Sequence, residues 1–158
     1  MDEITFLRLI ETHQDILYKI CRVYRNTPED RKDLFQEIVY QLWKSAPGFR
    51  GQSAFSTWMY RVALTTAIAD FRKPGPPLRY VAQLPDLPGE PDDPEEPRER
   101  LFRAIGVLAP AEKALITLYL EDLTYREIAD ITGLSENNVG VKLNRIRRKL
   151  ELLLKNPS

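Results

Sequence analysis

Eight of the twelve prolines in this chain fall between Pro74 and Pro97, in the run KPGPPLRYVAQLPDLPGEPDDPEEP. Proline fixes φ and removes an amide donor, so such a density holds neither a helix nor an internal strand. The run is expected to be an extended, semi-stiff connector. It divides 158 residues into two lobes, each near the lower size limit for folding alone. Charge divides at the same boundaries. Residues 1–73 carry eleven basic and nine acidic side chains, residues 74–97 one and six, and residues 98–158 eleven and eight. The net charge of zero thus hides two mildly basic lobes and an acidic tether.

The chain has one cysteine and one histidine. An intramolecular disulfide and zinc sites built on paired cysteines are both excluded. A histidine-dependent nucleophilic site would have to use His13, which sits in a helical pattern with no nucleophile motif nearby. No run approaches eighteen apolar residues, and the start, MDEITFLRLI, is acidic and lacks a basic n-region. These features predict a cytoplasmic protein without membrane insertion, catalysis, metal or cofactor.

Both lobes read as helical, because apolar residues recur at three and four. Phe6, Ile10, His13, Leu17, Ile20 and Tyr24 form one stripe, with His13 read as a packing residue. Thr27-Pro28 has the form of an N-cap followed by proline at the first helical position. The next helix carries Leu34, Ile38 and Leu42, flanked by Phe35, Val39 and Trp43, and stops at Pro47-Gly48. A third, from about 53 to 73, is apolar on two sides: Phe55, Met59, Val62 and Thr66 on one, Tyr60, Leu64, Ala67 and Phe71 on the other. Such a helix is the central member of a bundle. Its one narrow polar sector holds Trp58, Arg61, Thr65 and Arg72.

In the second lobe helices are expected near 98–108 and 110–121, followed by two consecutive start signals. Thr124-Tyr125-Arg126-Glu127 is a capping box, with Leu123 and Ile128 as its hydrophobic staple. Gly133 stands where a helix ends in the left-handed region, and Ser135 caps again, with Leu134 and Val139 as the second staple. Two helices joined by Thr132-Gly133-Leu134 make a helix-turn-helix. On the last helix Val139, Leu143, Ile146, Leu150 and Leu153 form the core stripe. Asn137, Asn138, Lys142, Arg145, Arg148 and Lys149 cover the other side, and between Asn137 and Leu150 there are five bases and no acid. Ammonium and guanidinium groups neutralise phosphates, while Asn and Arg read base edges in the major groove. Val141, on the polar side, suits a thymine methyl.

The run LTYREIADITGLSENNVGVKLNRIRRKL resembles the promoter-reading helix-turn-helix, region four, of sigma-70 initiation factors. Upstream, DLFQEIVYQLWKSAPGFRGQSAFSTWMYRVALTTAIADFRK resembles region two. Two motifs in this order, with no third domain between them, match the compact extracytoplasmic-function group. The expectation is an all-α protein of two small helical domains, region two over 1–73 and region four over 98–158, joined by the Pro-rich linker over 74–97. It would act as the promoter-specificity subunit of bacterial RNA polymerase.

The resemblance implies a division of labour. Region two would grip the clamp helices of the polymerase β′ subunit through Asp33, Leu34, Gln36 and Glu37, with Trp43 nearby; region four would meet the β flap. The −10 element would be melted and held by Phe49, Arg50, Gly51, Gln52, Ser53 and Ala54 of a loop, and by Thr57, Trp58, Arg61 and Arg72 on the following helix. Aromatic faces and arginine planes replace the stacking lost by a flipped base. Phe55 and Tyr60 read as core. At the −35 element Ser135, Asn137, Asn138, Val141, Lys142 and Arg145 would lie at or near the bases, and Arg126, Arg147, Arg148 and Lys149 on phosphates. The family often pairs with an anti-sigma factor. Thr65 and Ala69 depart from the usual Asn and Asp, and Gly140-Val141 from a commoner Lys-Ser pair. Two rivals stay open at this level: a stand-alone helix-turn-helix regulator, and an adaptor that binds only proteins.

Overall fold

The structure, a computed structural model, describes residues 1–72 and 96–155, so the connector expected over 74–97 lies almost wholly outside the described residues. Helix α1 spans Glu3–Tyr24 and is opened by Asp2, whose carboxylate accepts from the Thr5 amide at 2.7 Å. Its stripe is buried as the spacing predicts, with His13 partly buried and its Nδ1 2.8 Å from the Leu9 carbonyl. Helix α2 spans Pro28–Ser45; the Thr27 hydroxyl accepts from the Asp30 amide at 3.1 Å, and proline supplies the first helical residue. Pro47-Gly48 ends it in a single 3-10 turn, Ala46–Gly48.

Helix α3, Phe55–Arg72, is the central member. Met59, Ala63 and Ala67 are fully buried, and Tyr60 and Leu64 nearly so. One side packs on α1 and α2. The other meets the second lobe.

That lobe comprises α4 (Pro97–Gly106), α5 (Pro110–Leu120), α6 (Tyr125–Thr132) and α7 (Glu136–Lys155). The capping box forms in both directions: the Thr124 hydroxyl accepts from the Glu127 amide at 3.1 Å, and the Glu127 carboxylate from the Thr124 amide at 3.0 Å. These bonds hold the Glu127 carboxyl below its usual range. Gly133 takes φ +82°, which a side chain would strain, and turns the chain into α7. The Ser135 hydroxyl then accepts from the Asn138 amide at 3.1 Å. Ile128 and Ile131 of α6 close on Val139, Leu143, Ile146 and Leu150 of α7. The expected last member of that stripe is corrected: Leu153 is 37% exposed, and Leu154 packs against the core instead. The final turn lies against α4, where Arg100 donates to the Leu154 carbonyl at 3.0 Å, and this selects a neighbouring position of the wheel. Among the described residues the fold is all helix, and the buried apolar side chains of both lobes form one continuous cluster.

Candidate nucleic-acid interface

Helix α7 owes its availability to how completely its other side is used. With Val139, Leu143 and Ile146 sealed against α6 and α5, the side chains of Asn137, Asn138, Val141, Lys142, Asn144, Arg145, Arg147, Arg148 and Lys149 stand exposed. Val141 is 43% exposed, an apolar group facing water among amides and cations. Ser135 and Arg126 lie exposed beside the start of the helix. The structure therefore leaves every expected −35 residue exposed on the helix-turn-helix.

Not all the cations are equivalent. The Lys149 ammonium bonds both oxygens of Glu112, at 3.0 and 3.2 Å, and Arg147 lies over the Tyr119 ring at 5.2 Å. Glu112 also accepts from the Ala109 amide at 3.0 Å, so one carboxylate caps α5 and tethers Lys149. Burial pushes its pKa up, but the Ala109 amide and the bonds and charge of Lys149 together hold it below its ordinary value. Gly140 faces α6: a Cβ there would stand 3.2 Å from Tyr125 Cε2, so the missing side chain lets the two helices cross closely.

The loop before α3 turns at Gly51, φ +77°, and the Gln52 side chain accepts from the Arg50 amide at 2.9 Å. Phe49 packs against Trp58 with ring centres 5.0 Å apart and against Phe55 at 6.0 Å; Phe55 and Trp58 stand 5.4 Å apart, and His13 lies 5.3 Å from Phe55. Trp58 thus belongs to a four-ring cluster and is only partly exposed, rather than standing in an open polar sector. Arg50, Gln52 and Ala54 are exposed, and Ser53 and Thr57 partly so. The Arg61 guanidinium donates through both Nε, at 3.0 Å, and Nη2 to the Asp130 carbonyl on α6. The Arg72 side chain lies outside the described residues.

On α2, Asp33, Gln36 and Trp43 are exposed, and Glu37 is partly buried, accepting from Gln41 at 3.1 Å. Leu34 is 1% exposed, which corrects the expectation that it reaches a partner: it lies on the stripe with Ile38 and Leu42, one turn from each other, and all three are core. Tyr40, 55% exposed, stands between Gln36 and Trp43 on the outer side of the helix. The spacing 36, 40, 43 would have found it, since it marks one helical face as clearly as the buried stripe does.

Residues 9–75 match the model of sigma-70 region two, and residues 98–150 that of sigma-70 region four. The extracytoplasmic-function sigma-E factor of Haemophilus influenzae is 30% identical over 170 residues, covering 95% of this chain and 87% of that protein. The chain belongs to the sigma-70 family, in its extracytoplasmic-function group. Sigma factor SigV of Bacillus subtilis is also similar, 27% identical over 147 residues, covering 92% of this chain and 88% of that protein. The fold matches the sigma factor RpoE of Bartonella quintana, crystallised with the anti-sigma factor NepR, at a TM-score of 0.74 and 17% identity, over 98% of this chain and 99% of that one. As a sigma factor, the chain directs promoter-specific transcription initiation with RNA polymerase.

Proposed function

We propose that the two lobes divide promoter recognition, region two over 1–73 holding polymerase and the −10 element and region four over 98–158 reading the −35 element. The observation that carries this reading is the exposed side of α7 between Asn137 and Leu150, with five bases and no acid, set by a capped, glycine-turned helix pair. Asn137, Asn138, Val141, Lys142 and Arg145 meet base edges, while Arg126, Arg147 and Arg148 meet phosphates, with Lys149 reaching them only by leaving Glu112. Asp33, Gln36, Glu37 and Trp43, joined by Tyr40, dock on the polymerase clamp helices; a mixed acid, amide and aromatic strip suits a helical partner surface. Phe49, Arg50, Gln52, Ser53, Ala54, Thr57, Trp58, Arg61 and Arg72 hold the opened −10 strand, the ring cluster offering a platform for an unstacked base.

The chain on this reading catalyses nothing itself, needs no metal or cofactor, and works in the cytoplasm. Its likeness to a sigma factor crystallised with an anti-sigma factor supports an inhibitor of that kind as a further partner. The test is run-off transcription by core polymerase over a promoter library, with and without the purified chain. New, sequence-selective start sites are expected only in its presence. Failure both to bind polymerase and to change the start sites overturns the reading.

A further inference from the structure

Beside the surfaces proposed to meet DNA and polymerase lies a cleft of about 930 Å³, where α1, α2 and the start of α4 meet. That volume is near the upper end for small-molecule sites, which run from roughly 300 to 1,000 Å³. Five cations line it: Lys19 and Arg22 from α1, Arg31 and Lys32 from α2, and Arg98 from α4. Asp15 is the one carboxylate among the lining residues. Two of the cations are paired, Lys19 with Glu121 at 2.8 Å and Arg22 with Glu99. Arg31 is held instead by the carbonyls of Arg25, at 3.1 Å, and Asn26, at 3.4 Å, which orient its guanidinium without neutralising it. Arg98 lies over the Phe102 ring at 5.6 Å, and Lys32 stands exposed. Five cations against three carboxylates leave two positive charges in excess on one concave surface. A cleft with low-dielectric walls focuses such a field and draws anions into it.

The cleft also carries rings. Tyr18 and Phe35, both on its wall, stack with centres 4.6 Å apart and planes inclined by 12°. One face of Tyr18 is thereby covered, yet the residue remains 54% exposed, so the rest of its ring is open to a further stack. Inorganic phosphate would use the cations and ignore the rings. An apolar ligand would use the rings and strand the cations. A nucleotide uses both: its base adds to the ring pair, and its phosphates take charge-assisted hydrogen bonds, two-pronged where arginine gives them.

We infer that this cleft is a binding site for a nucleoside polyphosphate, its base stacked on Tyr18 and its phosphates held by Arg31, Lys32 and Arg98. Gln36, on the α2 strip proposed to dock on polymerase, stands on the same wall. Resting on that reading of α2, a bound nucleotide and polymerase contend for the same ground, and the nucleotide sets how much of the chain is free to enter transcription.

The probe is ATP, titrated calorimetrically into the full chain, with inorganic tripolyphosphate and adenosine as its two halves. One ATP per chain is expected, with tripolyphosphate roughly tenfold weaker for want of the stack and adenosine weaker still. Tyr18→Ala should weaken ATP by about tenfold and leave tripolyphosphate unchanged. Lys32→Gln with Arg98→Gln, both at exposed positions, should weaken ATP and tripolyphosphate alike by roughly tenfold or more, with thermal unfolding unchanged. Tripolyphosphate that binds as tightly as ATP, or Tyr18→Ala without effect, would reduce the cleft to general anion attraction and overturn the proposal. Binding that survives the double variant but falls with Arg148→Gln would place ATP on α7 and overturn it too. A single-stranded oligonucleotide held through the same residues more tightly than ATP would give the cleft to a nucleic-acid strand instead. Last, ATP should weaken capture of the wild-type chain by immobilised core polymerase, but not capture of the double variant. ATP bound as described without that competition would leave the site standing and overturn only the placement of polymerase on α2.

Discussion

Helices α3 and α7 each carry residues proposed above to meet DNA, and they present them in opposite ways. Helix α3 is buried on two sides, with Met59, Ala63 and Ala67 sealed, and its polar sector is reduced to a ring cluster and an arginine already bonded to the neighbouring lobe. Helix α7 spends one stripe on the core and leaves the rest of its surface to solvent. The first helix is a scaffold with a few borrowed contacts; the second is an exposed polar surface on a firm base. Duplex DNA needs only a rigid, charged helix in its groove. A melted strand needs aromatic walls, which are stable only when other parts of the chain help to build them.

The sharpest way to break this comparison lies within α7 itself. Leu143→Ala, at a fully buried position, should destabilise the protein by about 2–5 kcal/mol, measured by denaturant unfolding, whereas Val141→Ala two residues earlier should change stability by less than about 0.5 kcal/mol. Equal losses would mean that the exposed face is structural after all. Next, Asn138→Ala should change preference at one −35 base by roughly 1–3 kcal/mol, seen in competition binding of the polymerase complex to promoter variants. A uniform loss over all variants would remove Asn138 from the readers.

A smaller effect separates the cations. Arg148→Ala should flatten the dependence of log affinity on log salt by about one unit. Lys149→Ala should flatten it less, since Glu112 competes for that ammonium; an equal change would show that the pair opens freely on DNA. Smallest is the behaviour of Cys21, whose thiol is pushed up to about 12 by burial in the first lobe. Below pH 9.0, the ordinary thiol value, it adds no pH dependence. Between 9.0 and about 12 only the unfolded chain ionises, so stability falls as pH rises. At pH 8 iodoacetamide should label the native chain far more slowly than the unfolded one; equal rates would show a loose α1.

Much of this was legible beforehand because it is local. The Thr27-Pro28 and Thr124–Glu127 caps, the left-handed Gly133 and the buried stripe of α7 depend on residues within a turn of each other. The errors came where distant parts of the chain decide. The family resemblance assigned Leu34 to docking, yet the packing of α1 and α3 makes it core and leaves Tyr40 outside. Leu153 lost its place because α4 meets the last turn of α7. Nothing in the periodicity of α3 indicated that Arg61 would bond Asp130, sixty-nine residues away, or that Glu112 would hold Lys149.

The crossing at Gly140 has a longer reach than its size suggests. The Tyr125 ring of α6 lies against the bare backbone at Gly140, on a different side of α7 from the exposed Asn138, Lys142 and Arg145. On the reading proposed above, single exchanges among those exposed side chains alter promoter preference while the packing that holds α7 stays intact.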